Sequence, residues 1–215
     1  GVDTAYVWRP TAGVVLNLMS GNIEVVNSVK STYNNSFNAT GATWNVSIVG
    51  GSGDDTIIGG NMNDILDGAE GNDVLVGNSG NDRLKGRGGA DSLNGGNDND
   101  ILYFDNFDTS VIGGNNIDLA IVYGATAAVT LNLTSGQIET ANASFSTFNN
   151  TLRAIGATWA VSITGGSGND SIYGGNFDDI LLGGFGDDRI DAGAGNDRLF
   201  GDTGNDILIG RDGVD

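Results

Sequence analysis

Aspartates recur every nine residues in two long stretches of the chain, at a spacing that could bring their carboxylates together. From Gly50 to Ile121 the chain reads as nonapeptides such as GGNMNDILD and GNSGNDRLK, with an apolar residue at the eighth position and Asp at the sixth except at Thr109. From Gly165 to Asp215 the pattern returns. The sixth-position aspartates are Asp55, Asp64, Asp73, Asp82, Asp91, Asp100, Asp118, Asp170, Asp179, Asp188, Asp197, Asp206 and Asp215. Stacked carboxylates repel one another, and a hard cation between them removes the repulsion.

The nonapeptide predicts a glycine-rich turn followed by a very short strand. Glycine allows the positive φ of tight turns and lets backbone carbonyls come close together, so the first six positions suit a turn. The last three positions suit a strand whose middle, apolar side chain points inward. The first half of the chain runs from Asp3 to Asp118 and the second from Asp118 to Asp215, and the second is shorter by the length of two nonapeptides. We therefore predict an all-β fold, a parallel β-roll with 18 residues per coil, each coil holding two turns and two strands.

A longer repeat divides the chain into two modules. VVLNLMSGNIE at 14–24 matches VTLNLTSGQIE at 129–139, and GATWNVSIVGGSGDD at 41–55 matches GATWAVSITGGSGND at 156–170. We expect a spacer at 1–49, a β-roll array at 50–121, a second spacer at 122–164 and a second array at 165–215. The matching GVD at both ends suggests a fragment of a longer tandem array.

The spacers are expected to be β-rich and to pack on the ends of the rolls. Residues 14–18 and 45–49 alternate in polarity like half-buried strands. Residues 27–38 are polar and rich in turn formers, which predicts a loop.

Composition narrows the range of partners. Asp and Glu outnumber Lys and Arg 27 to 9, giving a net charge of −18, so nucleic acid and anionic membranes should repel the chain. There is no Cys and no His, which excludes disulfides, zinc thiolate sites and the usual general base. No apolar run is long enough for a membrane span. The expected partners are therefore calcium ions and neighbouring modules of the same chain, and we expect no enzyme activity.

Other interpretations of these residues fit the pattern less well. Solvated turn carboxylates would explain one aspartate but not a register of thirteen. The chain has no EF-hand loop and no Gly-Lys dipeptide of a phosphate-binding loop. Neighbouring acids such as Asp54 and Asp55, or Asp187 and Asp188, could form an acid/base pair, but their regular placement favours calcium. The aromatic side chains that could stack on sugars, although packing within the fold is favoured, are Trp44, Trp159, Tyr103 and Tyr123.

Turns on one edge of the roll recur every two nonapeptides, so the aspartates form ladders. The expected ladders are Asp55, Asp73 and Asp91; Asp64, Asp82, Asp100 and Asp118; Asp170, Asp188 and Asp206; and Asp179, Asp197 and Asp215. Successive pairs predict about nine sandwiched Ca²⁺ ions, which accept six to eight oxygen ligands in flexible geometry, whereas Mg²⁺ demands a tight octahedron. Such ions would nearly cancel the net charge of −18. The Thr109 turn is expected to lose its ions, because it lacks the bridging carboxylate.

These repeats resemble the RTX, or hemolysin-type calcium-binding, nonapeptide family, whose signature is GGxGxDxUx. The resemblance implies that each ion takes the Asp and two backbone carbonyls from each turn. The carbonyl ligands that it implies are those of Gly51, Gly53, Gly60, Gly68, Glu70, Gly71, Gly77, Ser79, Gly80, Gly86, Gly88, Gly95, Gly96, Asn97, Gly113, Asn115, Gly166, Gly168, Gly175, Gly183, Gly184, Phe185, Gly186, Gly193, Gly195, Gly201, Thr203 and Gly210.

The resemblance also implies a function outside the cell. RTX proteins pass unfolded through a type I secretion channel and fold where calcium is abundant, so we expect a calcium-folded stalk of a large adhesin or surface-layer protein. The alternative is an accessory region of a secreted protease, lipase or alginate epimerase, aiding its folding and touching polysaccharide. A polysaccharide or cell-surface ligand of the spacers is a further, open possibility.

Overall fold

The computed structural model describes residues 1–8, 10–20 and 22–215 and consists almost entirely of short strands and turns. The chain divides into two compact units, Gly1–Asp118 and Leu119–Asp215. Within the described ranges, no helix has the length and apolar character needed to cross a membrane.

The described residues of the first unit form twelve strands that alternate between two parallel sheets. Its strands are β1 (Thr4–Tyr6), β2 (Val15–Asn17), β3 (Val25–Asn27), β4 (Ser36–Asn38), β5 (Ser47–Gly51), β6 (Thr56–Ile58), β7 (Ile65–Glu70), β8 (Val74–Ser79), β9 (Arg83–Gly88), β10 (Ser92–Asn97), β11 (Ile101–Phe104) and β12 (Ser110–Gly114). The odd-numbered strands form one sheet in chain order and the even-numbered strands form the other. A short 3-10 helix, Leu18–Ser20, follows β2.

The second unit repeats this plan with ten strands. They are β13 (Leu119–Val122), β14 (Thr130–Asn132), β15 (Thr140–Asn142), β16 (Thr151–Arg153), β17 (Ser162–Gly166), β18 (Ser171–Tyr173), β19 (Ile180–Phe185), β20 (Arg189–Ala194), β21 (Arg198–Thr203) and β22 (Ile207–Asp212). Odd and even strands again form separate parallel sheets. One helical turn, α1 (Leu133–Gly136), follows β14 and is capped by the Asn132 side chain.

The strand register confirms the predicted coil. In the first array Ile65 of β7 lies beside Arg83 of β9, and Val74 of β8 lies beside Ser92 of β10. Each pair is 18 residues apart, the separation that recurs in the hydrogen bonds between turns. The fold is therefore an all-β parallel β-roll, as the nonapeptide pattern predicted.

The spacers are themselves coils of the rolls. In the first spacer β2 pairs with β4 and β4 with β6, while β3 pairs with β5 and β5 with β7, so the spacer strands extend the sheets of the array. Their turns are longer, and hydrogen bonds there span 20 to 22 residues instead of 18. The predicted loop at 27–38 is wrong at both ends, because Asn27 is the last residue of β3 and Ser36–Asn38 form β4 around the buried Phe37.

The core is a thin column of inward-pointing side chains, one from the middle of each strand. In the first unit Phe37, Ile57, Leu75 and Leu93 follow one another in the even-numbered sheet, and all four are fully buried. Facing them is the column Val26, Ile48, Leu66, Leu84 and Leu102 of the odd-numbered sheet, also fully buried. Such a column buries little apolar area per residue, so a coil depends on its neighbours for stability.

Candidate metal sites

The sixth-position aspartates lie at the turns, and each from Asp55 to Asp206 comes directly before a strand. Through the interior of both arrays their side chains are at most 3% exposed, whereas Asp206 is half-buried and Asp215 is exposed. Burying so many carboxyl groups is costly unless each finds a partner. This placement follows from the repeat, because the sixth residue closes the turn and points back under it.

The structure brings the aspartates together in the four ladders that the spacing predicted. In each ladder the backbone N–H of one aspartate donates to Oδ1 of the aspartate 18 residues later. The N–H of Asp55 donates to Asp73 at 2.7 Å and that of Asp73 donates to Asp91 at 2.7 Å. The same bond joins the other ladders, at 2.7 to 3.0 Å. Oδ1 therefore fixes the stacking of consecutive coils.

The second carboxylate oxygen, Oδ2, is left without a donor in most turns. Among the described residues it is buried and lacks a hydrogen-bond partner in Asp55, Asp73, Asp82, Asp91, Asp100, Asp170, Asp188 and Asp197. A buried, unpartnered carboxylate oxygen costs free energy unless a cation or a proton satisfies it. Two turns differ, since Oδ2 of Asp64 and of Asp179 accepts an N–H bond within its own turn, from Gly60 at 2.6 Å and Gly175 at 2.7 Å.

A backbone carbonyl of the next coil lies beside each of several Oδ2 atoms. A Cβ placed on Gly165 would lie 2.5 Å from Asp170 Oδ2 and 2.7 Å from the carbonyl oxygen of Gly183. The same small space, lined by two acceptors, lies next to Gly50 and Gly59, which therefore have no room for a side chain. Two acceptors that converge on one space suit a cation, and hard oxygen donors are what calcium prefers. The residues present therefore fit calcium.

Nine of the predicted carbonyl ligands make one of two kinds of contact. First-position carbonyls lie beside an Oδ2 atom in Gly68, Gly77, Gly95 and Gly183. Carbonyls that accept backbone hydrogen bonds between coils include those of Gly60, Gly88, Gly96, Gly175 and Thr203. Ala192, whose carbonyl lies beside Asp179 Oδ2, was missed because alanine replaces the first glycine of its repeat. The role of these carbonyls as ligands stays a prediction.

Any metal here needs backbone oxygens as well as carboxylates. Within the part of the chain that the structure describes, three or more acidic side chains do not converge in a way that could hold an ion by themselves.

The other chemistry considered for these residues was catalysis or sugar binding. The neighbouring acids considered as a catalytic pair lie in different environments, because Asp54 is exposed and Asp55 is buried. The tryptophans pack between coils, with Trp44 Nε1 donating to the Ile23 carbonyl at 3.4 Å and Trp159 Nε1 to that of Ile138 at 3.3 Å.

Burial raises the pKa of most ladder carboxyl groups. The pKa rises from 3.8 to about 6 in Asp55 and Asp170, to about 7 in Asp73 and Asp100, and to about 8 in Asp82. Loss of hydration is the largest cause, the backbone N–H bond to Oδ1 opposes it, and repulsion from neighbouring acids adds to it. The metal-free ladders therefore take up protons more readily than free aspartate does, and a bound cation would replace those protons.

The ladders that contain Asp55 and Asp170 each begin on an asparagine that sequence reasoning missed. Asn35 and Asn150 occupy the turns before Asp55 and Asp170, and both are buried. The backbone N–H of each donates to Oδ1 of the following aspartate at 2.6 Å. Nδ2 of Asn35 also donates to the Gly50 carbonyl at 3.2 Å. The signal was present, because Asn35 and Asn150 correspond in the long repeat.

The Thr109 turn is not without a carboxylate, so that part of the prediction is wrong. Thr109 is exposed, and the preceding residue, Asp108, turns inward in its place. Oδ1 of Asp108 accepts the bond from the Asp91 N–H at 3.0 Å, over 17 residues instead of 18.

The fold is a parallel β-roll whose coils each hold two turns and two strands. Carboxylates stack at its turns and carbonyls lie beside their free oxygens. These features together define a calcium-binding parallel β-roll. The sequence model of the RTX calcium-binding nonapeptide repeat matches four segments, 47–75, 76–111, 164–199 and 182–215, which together cover more than half of the chain. The chain belongs to this family, whose repeats bind calcium. The comparison with curated proteins gave no match.

Proposed function

We propose that the chain is a structural module of a secreted protein that folds when calcium enters its aspartate ladders. The observation that carries this proposal is the row of buried Oδ2 atoms without a hydrogen-bond donor, repeated through both arrays. In the unfolded chain these carboxylates are hydrated and far apart, so they bind calcium weakly. Calcium that binds the folded chain alone then contributes its binding free energy to folding.

The ladders provide about nine positions between successive aspartates, assuming one Ca²⁺ for each pair of stacked turns. Each ion would lie between the two aspartates of a pair, and its ligands would include both carboxyl groups and a carbonyl of the next turn, as at Asp170 and Gly183. The carboxylates bind and orient the ion, while the Oδ1 hydrogen bonds keep the coils in register. About nine divalent ions would offset most of the net charge of −18.

The location proposed for this folding is outside the cell. Extracellular calcium modules bind with dissociation constants of about 0.1 to 1 mM, so a weak, cooperative array stays unfolded at low calcium and folds after secretion. Both units carry the same construction of wide spacer coils followed by regular coils, which supports a tandem stalk of an adhesin or surface-layer protein. The accessory region of a secreted enzyme is the alternative.

A calcium titration of the chelator-treated chain tests the proposal. We expect a cooperative change from coil to β structure in far-UV circular dichroism near about millimolar Ca²⁺, and none with Mg²⁺. Equilibrium dialysis with elemental analysis should then find about nine ions per chain. A chain that is folded in chelator and indifferent to Ca²⁺ would refute the proposal.

Mechanical unfolding distinguishes the stalk from the accessory region. A stalk has to resist tension, so single-molecule pulling should give high-force unfolding steps in Ca²⁺ that disappear in chelator. Low-force unfolding in both conditions, together with normal calcium-driven folding, would favour the accessory region.

A further inference from the structure

The only Asn-Gly pair in the sequence, Asn94-Gly95, lies where one nonapeptide ends and the next begins. Asn94 follows the inward-pointing Leu93 in β10, so its side chain faces outward, and the residue is half-buried. Among the described residues, no hydrogen-bond partner is found for its side-chain amide. Asparagine loses its amide most readily before glycine, because glycine has no side chain to hinder attack by its own backbone nitrogen. This pair is therefore a candidate for spontaneous modification.

The fold requires glycine at position 95 and leaves position 94 to vary. A Cβ on Gly95 would lie 2.2 Å from Asp100 Oδ2 and 2.7 Å from Asp100 Cβ, so a larger residue does not fit under this turn. In the other repeats with glycine at the first position, the residue before that glycine is apolar, aromatic or charged. The reactive pair therefore arises from one asparagine placed before a glycine that the turn cannot replace.

One other pair in the first array, Asp67-Gly68, has the same backbone opportunity but a different side chain. Arg87 holds both carboxylate oxygens of Asp67 through two hydrogen bonds at 2.6 Å. This ion pair keeps the carboxyl group ionised, and an ionised carboxylate is a poor target for a nucleophile. Asn94 carries a neutral amide, which is the better target of the two.

Strand pairing keeps the reacting atoms of Asn94 apart in the folded chain. The reaction needs the Gly95 nitrogen to reach the side-chain carbonyl carbon of Asn94, which requires rotation of the Asn94 backbone. In β10 that backbone is paired on both sides, with Asn94 beside Val76 of β8 and Ile112 of β12. An extended backbone paired in this way turns the following nitrogen away from the side chain. The reaction therefore has to wait for local or global unfolding.

We infer that Asn94 is a site of spontaneous deamidation that is closed in the calcium-folded chain and open in the metal-free chain. The Gly95 nitrogen loses its proton, bonds to the side-chain carbonyl carbon of Asn94 and displaces the amide as ammonia, which leaves a succinimide ring. Water then opens the ring at either carbonyl and gives aspartate or isoaspartate. The reaction consumes water and needs no cofactor. The part that calcium has in it rests on the proposed function.

Isoaspartate at position 94 should disturb the neighbouring ladder, because it adds a methylene group to the main chain between Leu93 and Gly95. Leu93 is fully buried in the core column. The Gly95 carbonyl lies next to Asp82 Oδ2, since a Cβ on Gly77 would meet the two oxygens at 2.5 and 2.2 Å. A longer main chain cannot keep both contacts, so half-folding of the isoaspartate form should need at least about tenfold more Ca²⁺. Aspartate leaves the main chain unchanged and should have little effect.

Peptide mapping by mass spectrometry tests the site after incubation of the full chain at neutral pH in excess Ca²⁺, in chelator or in concentrated urea. Asn94 should be converted in urea and in chelator, and at least about tenfold more slowly in excess Ca²⁺. Asn38 is the internal control, because it ends β4 of the same sheet but precedes Ala39. Asn94→Gln is the matched variant, since glutamine closes the corresponding ring far more slowly, and it should fold at the same Ca²⁺ concentration without modification.

The urea arm tests the chemistry without the fold or the metal. If Asn94 reacts no faster than Asn38 in urea, the site is refuted while the calcium ladders stand. Equal rates for Asn94 in urea and in excess Ca²⁺ would refute protection by the strand. A chain that is folded in chelator by circular dichroism, and protects Asn94 there, would refute the proposed function and leave the site in place. An isoaspartate form that folds at the same Ca²⁺ concentration as the unmodified chain would overturn the link to the ladder.

Discussion

The position of an aspartate within its ladder should determine how many ions its substitution removes. Asp73 lies between Asp55 and Asp91 and faces two candidate sites, whereas Asp55 begins the ladder next to Asn35 and faces one. Both side chains are 1% exposed, and both have a bonded Oδ1 and an unpartnered Oδ2. Asn in place of either keeps the Oδ1 bond and replaces the oxygen that faces the ion with an amide nitrogen.

The expected loss of stability follows from the number of sites. An ion that binds only the folded chain adds about 1.4 kcal/mol to the free energy of unfolding when Ca²⁺ is in tenfold excess over its dissociation constant. Asp73→Asn should therefore lower this free energy by about 3 kcal/mol, and Asp55→Asn by about 1.4 kcal/mol. Urea unfolding followed by circular dichroism at fixed, tenfold excess Ca²⁺ measures both values.

The same substitutions should have the opposite sign in chelator. Without calcium, each removes a buried carboxyl group whose pKa is raised to about 7 in Asp73 and about 6 in Asp55, so the folded fraction at neutral pH should not fall and should rise most for Asp73→Asn. Equal losses for the two variants in Ca²⁺ would refute the assignment of two sites to Asp73. A loss of similar size in chelator would show that the carboxylates act in packing and not through calcium.

Four further predictions follow from the described contacts. In chelator the β content should rise as pH falls from about 8 to 4, because ladder pKa values raised from 3.8 to as much as about 8 make the folded chain bind more protons than the unfolded chain. In Ca²⁺ acidification should instead release the ions, and circular dichroism over this pH range with and without Ca²⁺ measures both effects. Asn35→Asp should destabilise the folded chain by about 1 to 3 kcal/mol, as measured by urea titration at fixed Ca²⁺, because it replaces the amide donor to Asp55 with a like charge. Arg87→Lys should cost about 1 kcal/mol at every Ca²⁺ concentration that folds the chain, because Arg87 makes a two-bond pair with Asp67 at 2.6 Å, and a double-mutant cycle with Asp67→Asn isolates that coupling. Gly80→Ala should lower the thermal midpoint far more than Gly41→Ala, because a Cβ on Gly80 meets the Met62 carbonyl oxygen at 2.7 Å whereas one on Gly41 meets nothing within 4 Å, although both have positive φ.

The regular part of the molecule could be predicted from sequence because one period determines both the strands and the sites. Asp at the sixth position and Leu or Ile at the eighth locate the turn, the strand and the core column together. The spacers could not be assigned in this way, because their coils lengthen to between 20 and 22 residues and the period disappears while the sheet continues. Ser36–Asn38 form a strand because the buried Phe37 stacks on Ile57, a contact that a nine-residue register does not reveal.

The role of Asp108 in the Thr109 turn was missed for a related physical reason. A fixed register assigns the ligand role to position 109, where Thr109 stands, and gives Asp108 no role. The turn formed by Asp105 shortens the path by one residue, and the Asp91 N–H then finds its acceptor one position earlier. Local hydrogen bonds of this kind depend on three-dimensional contacts between residues, which periodicity does not encode.

In most ladder aspartates the two carboxylate oxygens have separate roles, and this explains where the ladders of Asp55 and Asp170 start. Oδ1 accepts a backbone N–H from the previous coil and so fixes the stacking, which an asparagine can do equally well. Oδ2 faces the carbonyl of the next coil and needs a cation or a proton, which an asparagine does not. At Asn35 and Asn150 the wide spacer coils begin and a neutral amide stands in the ladder position, donating to the neighbouring carbonyl oxygens of Gly50 and Gly165. The rolls therefore continue as β structure into the spacers, and we expect the calcium sites of these two ladders to stop at the asparagines.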